Sequence, residues 1–313
     1  MATALFYQPQ CGIAGDMHLA ALIDLGVPLD YVDTELAKLG LGNAFSLQLN
    51  NGQKMGISGT NVRVIAEDQH DHRHHSTIQR MIRDAGFSPS IERRALDIFQ
   101  LIANAEGKIH GIAPDDVHFH EVGAIDSIVD IVAAAICIDY LQPNVILCNP
   151  VEVGSGFVDC AHGRFPVPAP ATQELLVNAP CTYGGVKGEC TTPTGAAILA
   201  ASVDEYAPRG AFKPSKIGYG IGVKDFAIPN VLRVALGDYQ AEDELSQHIK
   251  LEANIDDMSP EAFEPLMNAL FEAGAADVYL TPIVMKKSRS AQCLSVLCET
   301  DKAKTLSDLI LNQ

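Results

Sequence analysis

A chain of 313 residues with 47% hydrophobic and 19% charged side chains has the composition of a globular protein long enough to build two cores. Its formal net charge of −17 argues against sequence-independent binding to nucleic acid, which depends on clustered lysine and arginine, and fits a cytoplasmic protein. The eight cysteines form no Cys-x-x-Cys pair, Met1 to Gln10 has no signal-peptide character, and no apolar run reaches the length of a membrane helix, so reduced thiols and no membrane contact are expected.

Ala2 to Tyr7 reads as a short buried strand. It runs through Cys11-Gly12-Ile13-Ala14-Gly15-Asp16-Met17 into a helix with Leu19, Leu22 and Ile23 at helical spacing, ending at Gly26. A strand that opens through glycines into a helix can offer backbone N–H groups to an anion; without a Gly-x-Gly-x-x-Gly or a Walker lysine, a tight turn is the plainer reading, and Asp16 is its candidate functional residue. Phe45 to Asn51 and Ile57 to Val64 alternate around Asn50-Asn51-Gly52 as a hairpin would. The tract from Asp68 to Ser76 holds four of the ten histidines and reads either as metal binding or as a solvated loop, with Ser76 or Thr77 capping a helix from Ile78 to Ala85.

Helices are predicted over Pro89 to Glu106 and Ala124 to Leu141. Between and across them lies the densest chemistry of the chain, His118-Phe119-His120-Glu121 followed by Asp126 and Asp130. On an extended segment His118 and His120 share a face, as His72 and His74 would, while Asp126 and Asp130 stack one helical turn apart. Imidazole with carboxylate suits zinc, nickel, iron or manganese. A half-buried strand of hydrogen-bonded histidines, with Asp126 opposing the helix dipole, fits the same spacing.

Beyond Pro150 the chain turns glycine- and proline-rich, with His162 in an irregular segment. Thr191 to Ala197 is a helix start or a phosphate cradle, and Gly218 to Gly222 a sharp turn or an anion nest before a strand from Asn230 to Leu236. The acidic run Ala241 to Glu244 reads as a linker, dividing domains 1–240 and 241–313. After it come a strand to Ile255, a helix from Pro260, strands ending at Met285 and Cys298, and a helix to Leu311. That β-α-β-β-α order is a ferredoxin-like unit lacking its last strand, so the chain is expected to be truncated or completed by another polypeptide. Asp256 and Asp257 end one strand, where carboxylates suit Mg²⁺ or Mn²⁺, and Lys286, Lys287 and Arg289 follow another, where cations suit phosphates. Surface charge at strand ends is the alternative. The fold class expected is α/β (α+β): a larger N-terminal mixed α/β domain and a small, incomplete ferredoxin-like C-terminal module.

Taken in order, Cys11 to Met17, His72-Arg73-His74, Val117 to Asp130, Gly154-Ser155-Gly156, His162-Gly163, Pro166 to Leu175, Thr192 to Ala197, Gly218 to Gly222, Pro229 to Arg233, Asn254 to Glu261 and Met285 to Lys287 resemble the LarC family of nickel-pincer cofactor biosynthesis proteins. The resemblance implies a lyase-class enzyme that inserts nickel into pyridinium-3,5-bisthiocarboxylic acid mononucleotide, using CTP with Mg²⁺ or Mn²⁺, to make the prosthetic group of lactate racemase-type enzymes. It implies an N-terminal region that handles nickel and the pincer nucleotide and a C-terminal module that binds CTP. Candidate metal ligands are His72, His74, His118, His120, Glu121 and Asp126. Candidate catalytic residues are Asp16, Lys286 and Lys287, and candidate CTP contacts are Asp256, Asp257, Lys286, Lys287 and Arg289. Expected partners are the pincer mononucleotide, a separate polypeptide completing the C-terminal module, an apo racemase-type enzyme and a second copy of the chain. A nickel or zinc storage protein or metallochaperone would use the same histidines without nucleotide, and a metal-dependent hydrolase would use His118, His120 and Asp126 to activate water.

Overall fold

The computed structural model describes residues 2–42, 44–66, 73–119, 122–160, 163–242 and 248–312. The chain divides into two compact units, Met1–Ala241 and Glu242–Gln313, each with its own hydrophobic core.

The floor of the first unit is a mixed seven-stranded sheet built from β1 (Ala2–Gln8), β2 (Phe45–Lys54), β3 (Ile57–Ala66), β4 (Val145–Cys148), β5 (Glu205–Tyr206), β6 (Gly210–Ile221) and β7 (Val231–Ala241), in the order β5-β4-β1-β7-β6-β3-β2. β1 is parallel to β4, and β7 is antiparallel to both β1 and β6. Its central position explains why Ala4, Leu5 and Tyr7 of β1 are all fully buried. Over this sheet lie α1 (Gly15–Leu25), α2 (Leu29–Leu36), α3 (His75–Asp84), α4 (Pro89–His110), α5 (Ile125–Leu141), α6 (Pro170–Leu175) and α7 (Pro193–Ser202). α5 buries Ile125, Ile128, Val129 and every residue from Ile131 to Ile138, so it is an interior helix, flanked by α1, α2, α4 and α7.

α1 rides directly on β6, and two glycines make that possible: a Cβ at Gly218 would overlap the Ala21 carbonyl oxygen, and one at Gly220 the Met17 carbonyl oxygen. Gly218-Tyr219-Gly220 is therefore strand, with its glycines serving close helix–strand contact instead of the turn or nest that the sequence suggests. The hairpin turn also shifts. It falls at Met55-Gly56, with φ of 48° and 86°, while Asn51 and Gly52 pair inside the ladder with Thr60 and Gly59. Positive φ at both central residues matches the twist of the flanking strands. α3 starts earlier than expected, with His74 at its N-cap position, which places Ser76 and Thr77 inside the first turn.

In the second unit β8 (His248–Ile255), β9 (Asp277–Met285) and β10 (Arg289–Glu299) form an antiparallel sheet in the order β8-β10-β9. With α8 (Pro260–Glu272) and α9 (Ala303–Leu311) this is the β-α-β-β-α succession read from the sequence. Leu266, Leu270 and Leu306 of the helices pack on Val278, Leu294, Val296 and Cys298 of the sheet. Among the described residues no helix is long and apolar enough to cross a membrane.

Beneath α1 the Tyr7 hydroxyl lies 2.9 Å from His18 Nε2, and both side chains are fully buried. Burial first, and the Arg94 charge second, hold the His18 imidazole down to about 3. An unfolded histidine titrates near 6.5, so below that pH the unfolded chain takes up a proton that the folded chain refuses. Stability is thus expected to fall as pH drops from about 6.5 toward 3, by up to about 1.4 kcal/mol per pH unit from this group. Urea unfolding of wild type and His18→Gln at pH 7 and pH 5 checks this: the variant should lose less stability on acidification, and equal losses would refute the role given to His18.

Candidate functional site

α1, α5 and α7 begin beside one another, and their first turns, together with Val62–Ile65 of β3, line a cleft of about 460 Å³. The convergence is forced by backbone contact. Thr192 N–H donates to the Ile13 carbonyl at 3.0 Å, a Cβ on Gly12 would overlap the Cys190 carbonyl oxygen, and one on Gly195 would overlap the Ile13 carbonyl oxygen. Gly15 at the start of α1 faces Asp130 of α5, whose own Cβ lies 2.7 Å from where a Gly15 Cβ would stand. The segment from Gly12 to Gly15 is therefore stitched to α7 on one side and pressed on α5 on the other.

Three carboxylates enter this cleft. Asp16 Oδ1 accepts the Met17 N–H at 2.7 Å and Asp126 Oδ1 accepts the Ser127 N–H at 2.8 Å, each in the first turn of its helix, where negative charge opposes the macrodipole. Asp130 lies one turn deeper on α5, with Oδ1 sealed from solvent and without a hydrogen-bond partner among the described residues. Burial first, then the charges of Asp16 and Asp126, hold the Asp130 carboxyl well above the usual carboxylate range. Burial also raises Asp16, offset by backbone N–H bonds and by the Lys224 and Arg63 charges. Clustered like charges of this kind take up a proton or a cation. At the α7 start, Thr192 accepts the Gly195 N–H at 3.2 Å and lies 2.8 Å from the Thr194 hydroxyl, and no acidic residue occupies that first turn.

The histidines form a separate group. His74 and His118 face each other across an isolated antiparallel bridge, both exposed, with ring centroids 3.6 Å apart. Phe119 turns the other way, as an extended segment requires, and is buried against Phe99 and His75. His72, His120, Glu121 and His162 lie outside the described residues. Among the described residues no three His, Cys, Asp or Glu side chains are placed to hold one metal ion. The structure thus brings Asp16 and Asp126 together and His74 and His118 together, but does not put the histidines in the lining of the aspartate cleft.

In the second unit Asp256, just past β8, pairs with Arg289 at 2.9 Å. Lys286, Lys287 and Ser288 form the turn between β9 and β10, where Lys287 and Ser288 adopt left-handed φ of 60° and 58°. Asp257, Lys286, Lys287 and Arg289 are exposed.

A family model described as "Nickel insertion protein" matches residues 5–313. The chain belongs to the nickel insertion protein family. Two curated relatives are each named pyridinium-3,5-bisthiocarboxylic acid mononucleotide nickel insertion protein. The one from Clostridium kluyveri is 49% identical over 99% of this chain and 80% of its own length, and the one from Clostridium acetobutylicum is 46% identical over 99% and 81%. A solved structure, the apo C-terminal domain of a cyclometallase involved in synthesis of the NPN cofactor of lactate racemase, is 46% identical over 20% of this chain and 44% of that one, with a TM-score of 0.20.

Within this nickel insertion family member the structure adds residues that sequence reasoning passed over. Arg63 lines the cleft from β3 and carried no motif. Glu152 is buried between Val151 and Val153 and accepts the Gly154 and Gly185 N–H groups and the Thr182 hydroxyl, pinning the glycine-rich segments to one point. A charged residue inside an apolar run was its one legible signal. The Gly15–Asp130 contact gives a direct check on the cleft. Gly15→Ala should destabilise the protein by roughly 1–3 kcal/mol, because the added methyl must displace Asp130 in a packed site. Guanidinium unfolding reads this, and a change within about 0.5 kcal/mol, the ordinary surface value, would show that the contact is not tight.

Proposed function

We propose that this protein inserts Ni²⁺, as a substrate, into pyridinium-3,5-bisthiocarboxylic acid mononucleotide in a CTP-dependent reaction that makes the nickel-pincer cofactor of lactate racemase-type enzymes. The observation that carries this reading is the 46–49% identity, across nearly the whole chain, to relatives named for that insertion. The site chemistry supports it. His74 and His118 offer exposed nitrogen donors, joined in this proposal by His72, His120 and Glu121, and Asp126 offers carboxylate oxygen. Such donors hold nickel loosely enough for the sulfur donors of the substrate to take it over. Asp16 shares the cleft with Asp126 and Asp130, where their negative charge favours a metal cation beside the reacting ligand.

CTP, when bound with Mg²⁺ or Mn²⁺, would supply an activated cytidylyl group to a substrate carboxylate, with pyrophosphate leaving. The donor set of the second unit fits such a ligand: exposed Lys286 and Lys287 and the Arg289 guanidinium match phosphate oxygens, and Asp256 and Asp257 match a hard cation. Arg289 now neutralises Asp256, so each would exchange its present partner for phosphate or metal.

Nickel calorimetry and product mass spectrometry test the reading together. His74→Ala/His118→Ala should bind nickel at least about tenfold more weakly, and wild-type affinity should fall as pH drops, since a ligating imidazole must be neutral. Lys286→Ala/Lys287→Ala should bind nickel normally yet form no nickel-bearing mononucleotide with CTP. Undiminished nickel binding in the histidine variant would remove that pair as donors. Product formation without CTP would remove the nucleotide step, and tight nickel binding with no product under any condition would favour a storage protein.

A further inference from the structure

The seven-stranded sheet ends at β2, whose one strand neighbour among the described residues is β3. β3 meets the rest of the sheet through one backbone bridge, Thr60 with Gly220, and through the Asn61 amide on the Ile221 carbonyl at 2.8 Å. Beyond that point Phe45–Asn50 and its β3 partners form a two-stranded ribbon, and such a ribbon gains stability from a third strand. The edge it presents is long and neutral. From Phe45 to Gln53 no residue is charged or proline, and Lys54, at the end of β2, donates to the Val223 and Lys224 carbonyls at 3.3 Å and pairs with Asp225 of its own chain. The other edges of the two main sheets carry features that discourage pairing. β5 is two residues long, β8 holds Lys250 and Glu252, and β9 holds Asp277 and Pro282. Across the two-residue turn Met55-Gly56, Lys54 and Ile57 form a hydrogen-bonded pair, so the even-numbered residues of β2 bond β3. The N–H and C=O groups of Phe45, Leu47, Leu49, Asn51 and Gln53 therefore point to the open side. Leu47 and Leu49 share a face with Val64 and Val62 of the core, and Leu49, at its rim, is 39% exposed.

We infer that β2 is a homodimer interface, in which β2 of one copy pairs antiparallel with β2 of a second copy about a two-fold axis and joins the two seven-stranded sheets into one. The occupant is a second copy because the edge is self-complementary. Two-fold pairing offers each copy a strand with the same spacing of free N–H and C=O groups, the same apolar row and no charge. A chain of formal net charge −17 meets itself at least cost where neither copy brings a carboxylate. With Gln48 on the axis, Leu47 of each copy lies opposite Leu49 of the other, Phe45 opposite Asn51 and Ser46 opposite Asn50, so all of Phe45–Asn51 is paired and the leucine rows cover one another. The two β3 strands then stand about 14 Å apart, three strand spacings. Since Val62–Ile65 of β3 line the aspartate cleft, the dimer braces one wall of each cleft. The inference is independent of the reaction assigned to the chain.

Sedimentation of the full chain tests this. One strand pair is a small interface, so wild type should pass from monomer to dimer in the micromolar range, about 1–100 μM. Ser46→Lys/Asn50→Lys and Ser46→Glu/Asn50→Glu each set like charges opposite one another across the axis, and each should need at least about tenfold higher concentration to dimerise. An equimolar mixture of the two variants should regain the dimer, because lysine then faces glutamate. Ser46 and Asn50 are exposed, so at a concentration where wild type is monomeric each variant should unfold at the wild-type midpoint, which separates lost pairing from lost folding. Gln48→Cys gives a readout that weakens nothing: on the axis its two Cα atoms stand about 4.5 Å apart, within disulfide range, so tetrathionate should yield a reductant-sensitive dimer well above the wild-type level. Wild type that stays monomeric at about 100 μM, charged variants that dimerise as wild type does, a mixture that remains monomeric, or no cross-link through Gln48→Cys overturns the inference.

Discussion

The start of α1 is wedged between two other helix starts, and the wedge exists because Gly12, Gly15 and Gly195 carry no side chain where backbones and Asp130 meet. The same helix is seated on the sheet through Gly218 and Gly220. Close approach on both sides leaves no room for a side chain at these points, since a methyl group at any of them would overlap a carbonyl oxygen or a carboxylate. The cleft is the space left above this contact.

Bringing three helix starts together concentrates three positive dipole ends, an unfavourable arrangement unless charge answers it. Asp16 and Asp126 answer two of them by accepting N–H groups of their own helices. A third carboxylate, Asp130, then sits within the field of both, which adds to burial in holding its carboxyl well above the usual carboxylate range. Compensation of two helix ends and the raised Asp130 carboxyl therefore come from one set of residues.

The His74–His118 pair and the carboxylates of the cleft are kept apart in the described part of the first unit. His74 and His118 meet on the surface where the segment preceding α3 runs alongside 117–119, while Asp126 and Asp130 face the helix junction. The second unit presents its own polarity, with cations in the β9–β10 turn and Asp256 held by Arg289.

Much of this was legible from residue order. Periodicity placed α1, α4, α5, α8 and α9 and the strands of the second unit, because amphipathic and fully apolar helices and alternating strands are local patterns. The pairing of Asp126 with Asp130 followed from a four-residue spacing on one helix, and the inward turn of Phe119, opposite His118, from the two-residue repeat of extended chain. What local pattern could not reach was every contact made between distant segments. Gly218 and Gly220 looked like a turn until α1 was laid across them, the hairpin moved because Met55 and Gly56 accept positive φ, and Arg63 joined the cleft because β3 borders the starts of three helices from elsewhere in the chain. The sequence by itself determined the element types, the acidic character and the family of this protein, since these depend on near neighbours and on ordered motifs. Which carboxylates share a cleft, which cation faces them, and which helix end stays uncompensated were decided only by tertiary structure, because electrostatic and steric contact depend on distance in space and not on separation along the chain.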